Sequence, residues 1–279
     1  MTPRGALAPG RELAPGYEVI EHLARSNVLD VYDAWSHERG CRVALKALRP
    51  DRRDDKRALA ALLREGRLLQ RLSHPHVVRA YEVLRAPRPA IVLETLAGET
   101  IAHLVSRRRR RLAAAELGML GLHLCSALGY IHGQRLLHLD VKPSNVIAER
   151  GRAKLIDMSV ARPPGRARAG VGTWCYMAPE QARGGELTSA ADVWGAGGLL
   201  FEAATGECAF DDDAEYPQLE RRARPVQTLR RLPLGLAGAI DGCLEPDPRA
   251  RPALRDLAAA CERAARLPAA ERRLGGPNP

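Results

Sequence analysis

From Tyr17 to Leu48, apolar and polar positions alternate in short runs. Tyr17-Glu18-Val19-Ile20, Val31-Tyr32-Asp33-Ala34-Trp35 and Arg42-Val43-Ala44-Leu45-Lys46 read as strands. The period then lengthens: Leu59, Leu62, Leu63, Leu69 and Leu72 recur near every 3.6 residues, which predicts a helix within residues 51–72. Val77 to Leu84 and Ala90 to Glu94 return to strand-like runs, and beyond Gly98 the chain turns largely helical. Five strands and one helix followed by a helical region predict an α+β protein in two parts, joined at residues 94–98. Residues 1–16 hold three Pro and three Gly without periodicity and read as a flexible lead. Residues 268–279 read as a C-terminal tail. No internal repeat is present.

Within the helical part, residues 138–157 run HLDVKPSNVIAERGRAKLID. Pro143 and Ser144 make Asp140 to Asn145 a loop. Two short strands around Arg150-Gly151-Arg152 then return Asp157 towards Asn145. An acceptor for a hydroxyl proton (Asp140), a cation (Lys142) and two oxygen ligands for Mg²⁺ (Asn145 and Asp157) would face one point. Phosphoryl transfer asks for such a set, because its loose transition state is helped by positioning and charge neutralisation.

Composition narrows the class without choosing the chemistry. The 279 residues carry 43 Lys+Arg against 33 Asp+Glu, a net charge of +10. No aromatic-interleaved basic face or nucleic-acid motif accompanies that charge, so no nucleic acid is expected. Six scattered Cys lack CxxC or Cys/His spacing and fit free thiols in a reducing cytoplasm. The start MTPRGALAPG has no apolar signal-peptide core, and Val193 to Leu200 is too short to span a bilayer. The run Arg107 to Arg111 reads as a solvated loop or a docking patch for an acidic partner.

VALK (43–46), RE (64–65), VLE (92–94), HLDVKPSN (138–145), DMS (157–159), GTWCYMAPE (172–180), DVW (192–194) and DPRARP (247–252) occur in that order. Together they resemble a protein kinase domain, and the bacterial Hanks-type (eukaryotic-like) serine/threonine kinases in particular, over about residues 17–265. The resemblance implies a two-lobed fold: a small antiparallel-sheet N-lobe (17–93) with one main helix, a hinge (94–98) and a larger helical C-lobe (99–267). It also implies a transferase that binds ATP with Mg²⁺ and phosphorylates Ser or Thr of a protein substrate. Lys46 would contact the phosphates and pair with Glu65. Asp140 would orient and deprotonate the substrate hydroxyl, Lys142 would neutralise the γ-phosphate, and Asn145 and Asp157 would hold the metal. Leu23, Val31, Ala44 and Ile147 would enclose adenine, with the backbone of Glu94 and Leu96 bonding it. Thr173 would seat the substrate, and Glu180 would pair with Arg251.

Some positions depart from that family. The phosphate-covering GxGxxG loop holds Ala24, Ser26 and Leu29, where glycine lets backbone N–H groups close on phosphate. The Ser26 hydroxyl is expected to replace part of that contact. Asp-Phe-Gly reads Asp157-Met158-Ser159, and Ser159 is expected to restrict the flip of Asp157. His-Arg-Asp reads His138-Leu139-Asp140, so the Arg that meets an activation-loop phosphate is absent. Residues 160–172 contain no Ser, Thr or Tyr to carry one. The alternative to an active kinase is a pseudokinase scaffold with weak or no transfer.

Overall fold

The computed structural model describes residues 5–106, 110–210 and 215–266. The chain divides into two compact units, residues 1–97 with 157–159, and residues 98–156 with 160–279. The first unit holds β1 (Glu12–Ala14), β2 (Tyr17–Arg25), β3 (Leu29–Ser36), β4 (Cys41–Leu48), α1 (Lys56–Arg71), β5 (Ala80–Leu84) and β6 (Ala90–Glu94). Its six strands form one antiparallel sheet in the order β1-β2-β3-β4-β6-β5.

Alternation assigns the two faces. Tyr32, Ala34, Val43, Leu45 and Ala47 share one face and form a buried cluster. Val31 pairs with Lys46 and Asp33 with Ala44, so these four point to the opposite face. The helix α1 lies close to the sheet. A Cβ added at Gly66 would stand 2.5 Å from Val83 Cγ2. Its start is later than the periodicity predicts, because Pro50–Arg52 form a 3₁₀ turn and Asp55 caps the amides of Arg57 and Ala58 at 3.0 Å.

The flexible lead expected over residues 1–16 is corrected where it is described. Strand β1 pairs with β2, the Gly10 amide donates to Val19 O at 2.8 Å, and the Leu7 amide donates to Tyr32 Oη at 3.2 Å. Leu13 and Ala14 are buried beside Tyr17 and Val19. A three-residue strand is too short for periodicity to reveal, and the flanking Pro and Gly hid it. Residues 1–4 lie outside the described residues, as does the expected tail at 268–279.

The second unit holds β7 (Glu99–Thr100), α2 (Ile101–Ser106), α3 (Ala114–Gly133), β8 (Val146–Glu149), β9 (Arg152–Leu155), β10 (Gly165–Ala167), α4 (Pro179–Arg183), β11 (Gly185–Leu187), α5 (Ser189–Thr205), α6 (Leu234–Cys243) and α7 (Leu254–Ala265). Strands β7, β8 and β9 form one small sheet, and β10 pairs with β11. Helix α3 packs against α5, α7 and β9. Among the described residues it is the one helix long and apolar enough to cross a membrane by length and composition, yet 61% of that stretch is buried. Gly118 lets α3 approach the backbone of α7: a Cβ there would meet Cys261 O at 2.5 Å.

Candidate phosphoryl-transfer site

In the first unit, β4 brings Lys46 and α1 brings Glu65 to one buried point. Lys46 Nζ lies 2.8 and 2.9 Å from the two carboxylate oxygens of Glu65, and 3.3 Å from Asp157 Oδ2. Burial disfavours the Lys46 ammonium, but the charges of Glu65 and Asp157 outweigh it and hold the amine above its ordinary range. Burial pushes the Glu65 carboxyl up against the pull of Lys46. Glu65 Oε1 also accepts the Met158 amide at 3.1 Å, and Arg64 donates to Ser159 O, so α1 fixes residues 157–159.

Asp157 carries the left-handed φ of 67°, and its Oδ1 accepts the Ser159 amide at 3.0 Å. The positive φ falls on Asp157 and not on Ser159. Serine is therefore accommodated in the observed conformation without backbone strain.

Val31 and Ala44 are half-buried on the Lys46 face of the sheet, whereas Leu23 is 54% exposed on β2. Glu94 ends β6 with its side chain engaged, Oε1 accepting the Arg79 amide at 2.9 Å, and Leu96 follows half-buried. The loop between β2 and β3 is closed on itself. Ser26 Oγ accepts the amides of Leu29 at 3.0 Å and Val28 at 3.4 Å, and donates to Leu29 O at 3.3 Å. The Ser26 hydroxyl, expected to replace part of the phosphate contact, here engages the amides at the loop tip. Behind the tip, buried Asp30 takes Arg25 Nε at 2.7 Å, His22 Nε2 at 2.9 Å and Tyr32 Oη at 3.3 Å.

In the second unit, the turn at Pro143–Asn145 gathers the loop residues. Lys142 Nζ lies 2.8 Å from Asp140 Oδ2 and donates to Thr173 Oγ1. Asn145 Nδ2 donates to Asp140 O and Oδ2, both at 2.9 Å, leaving its Oδ1 for a cation. Asp140 Oδ1 is buried without a hydrogen-bond partner. Such an oxygen needs a donor that the described residues do not supply, from water or a ligand. Ile147 is half-buried on β8, paired with Thr100.

Two supporting residues had no assigned role in the loop. Asp192 on α5 accepts the amides of His138 at 2.9 Å and Leu139 at 2.7 Å, and its Oδ2 lies 2.8 Å from His132 Nε2. A fully buried Asp in an apolar helix was the available signal, since such a charge needs partners. Gln181 on α4 donates through Nε2 to Leu139 O at 2.9 Å and Val171 O at 2.7 Å, while its Oε1 accepts the Ala178 amide at 3.1 Å. Nothing in the sequence marked it. The expected Glu180–Arg251 pair is present, with contacts of 2.6 and 2.8 Å.

A small antiparallel sheet with a Lys–Glu pair held by its one helix, and a helical unit presenting Asp, Lys and Asn from one loop, are the two parts of the protein-kinase fold. The description "Protein kinase domain" matches residues 17–261, and the chain belongs to that family. It is 32% identical over 217 residues to a probable serine/threonine-protein kinase of Streptomyces coelicolor, covering 73% of this chain and 32% of that protein. It is 32% identical over 263 residues to CBL-interacting protein kinase 4 of Oryza sativa, covering 90% and 58%. To serine/threonine-protein kinase PknK of Mycobacterium tuberculosis it is 34% identical over 259 residues, covering 88% and 23%. The chain thus spans less than two thirds of each of these relatives.

Proposed function

We propose that this chain transfers the γ-phosphoryl group of ATP to Ser or Thr of a protein. The observation that carries the reading is the Asp140 carboxylate. One oxygen is held by Lys142 and Asn145, and the other is buried and unpartnered. In this reading Asp140 Oδ1 accepts the substrate hydroxyl proton as its oxygen attacks phosphorus. Lys142 offsets the charge on the transferred group, and Thr173 aligns the substrate. Lys46, kept cationic and oriented by Glu65, grips the phosphates. Val31, Ala44 and Ile147 offer apolar surface to adenine, Leu23 flanks it, and the backbone of Glu94 and Leu96 bonds it.

The oxygen donors of Asn145 and Asp157 suit Mg²⁺, a hard cation that prefers carboxylate, carbonyl and water oxygens. When bound, it would neutralise phosphate charge. The six cysteines are free thiols, which fits the proposed cytoplasmic setting.

A second reading, a pseudokinase scaffold, is favoured by one feature: the Ser26 turn uses the loop-tip amides itself. Thermal unfolding with and without Mg-ATP tests the nucleotide site. Ligand at a hundredfold over Kd would stabilise by about 2.7 kcal/mol. Wild type should gain thermal stability, and Lys46→Ala should lose most of that gain. An equal gain in both would refute the assignment of Lys46.

A further inference from the structure

The second unit contains a groove of about 390 Å³ formed by α2, α3 and the β8–β9 hairpin, none of whose residues is used in the proposed chemistry. We propose that it docks an acidic peptide segment of a partner protein, anchored by that segment's apolar side chains. Leu104, Leu112, Met119 and Leu120 supply an apolar floor within the size range of ligand pockets. The floor is tied together by His123 on α3, whose Nδ1 accepts the Ala153 amide of β9 at 3.2 Å.

Charge around the floor selects the partner. Arg110, Arg150 and Arg152 line the groove against one acidic residue, Glu116, which is already paired with Arg110. Arg150 and Arg152 are exposed and have no ion-pair partner among the described residues. A two-residue turn sets their position: Arg150 has φ 47° and Gly151 φ 78°, both left-handed. The turn thus holds two cations on one side of the floor while Arg110 stands at the α3 side. With Arg110 already paired to Glu116, the open cations are Arg150 and Arg152, so a ligand must set carboxylates at the turn beside apolar anchors on the floor, and an acidic peptide with interspersed apolar residues supplies both. The remaining arginines of the run, Arg107–Arg109, lie outside the described residues.

The proposal does not depend on phosphoryl transfer. The probe is a short fluorescein-labelled peptide of alternating Glu and Leu, followed by anisotropy beside a Lys/Leu counterpart of equal length. The Glu/Leu peptide should bind, more weakly as salt rises, and the Lys/Leu peptide should not. Charge reversal at the turn, Arg150→Glu with Arg152→Glu, should weaken binding about tenfold or more, as should Met119→Arg on the floor. Should Met119→Arg unfold the unit, the exposed turn variant still decides. Equal binding of the two peptides, or an affinity unchanged by the turn variant, would overturn the proposal. So would binding of decanoate, but not of the Glu/Leu peptide, at the groove.

Discussion

Arg251 shows how a single buried cation can hold a unit together. Its guanidinium meets both oxygens of Glu180, donates to the carbonyls of Glu245, Pro246 and Ala190, and stacks 5.0 Å over the Trp194 ring. Five donors in a rigid fork make this set possible, and lysine cannot reproduce it. Arg251→Ala strands a mostly buried Glu180 and should cost about 3–5 kcal/mol. Arg251→Lys should recover only a minor part of that loss, as read by urea denaturation. Asp30 supplies a pH-dependent counterpart. Burial opposes its ionisation, but Arg25 and His22 outweigh burial and hold its carboxyl below the usual carboxylate range. A depressed carboxyl stabilises the fold above its unfolded pKa of about 4, and that contribution fades as pH falls through the folded value. Asp30→Asn should therefore be less stable than wild type at neutral pH, by about 1–3 kcal/mol. The gap should narrow in urea melts below about pH 4, and a gap that stays constant would contradict the linkage.

Two loops account for the departures from the family pattern. The turn closed by Ser26 Oγ on the Val28 and Leu29 amides replaces the open glycine loop. Ser26→Gly should free those amides and lower KM for ATP by several-fold, with kcat little changed. A raised KM would mean that the closed turn itself supports binding. The other loop, residues 160–172, has neither an acceptor for phosphate nor an arginine at position 139 to receive one. Gln181 instead bridges Leu139 O and Val171 O with a neutral amide. Leu139 is buried with φ 63°, and its amide is held by Asp192. The segment is thus fixed without modification. Phosphatase treatment should leave the initial rate unchanged, and Gln181→Ala should speed tryptic cleavage at Arg166 or Arg168. A rate lost on phosphatase treatment would show that an unmodified segment is not competent.

Over the whole molecule, what the sequence revealed follows from how local each signal is. Strands β2, β3, β4 and β6 and helix α1 were legible because each presents several apolar positions at one period. The Lys46–Glu65 pair was legible because an ammonium at the end of an apolar strand needs a carboxylate partner. Strand β1, the Ser26 turn and the Gln181 bridge were not. Each depends on contacts with residues elsewhere in the fold or on which way a short polar side chain turns. Arg110 was ambiguous for the same reason, since only the apolar floor it lines gives that charge a setting.

Asp140 is proposed to serve a working transfer site. Incubation with γ-labelled ATP and Mg²⁺, with the chain itself and a generic basic protein as acceptors, measures it directly. Label is expected on Ser or Thr in wild type, with a loss of at least about a hundredfold in Asp140→Asn, of the order of a missing general base. Nucleotide-dependent stabilisation should survive in that variant. No label above the Asp140→Asn background, with Mg-ATP still bound, would contradict transfer and leave the pseudokinase reading in its place.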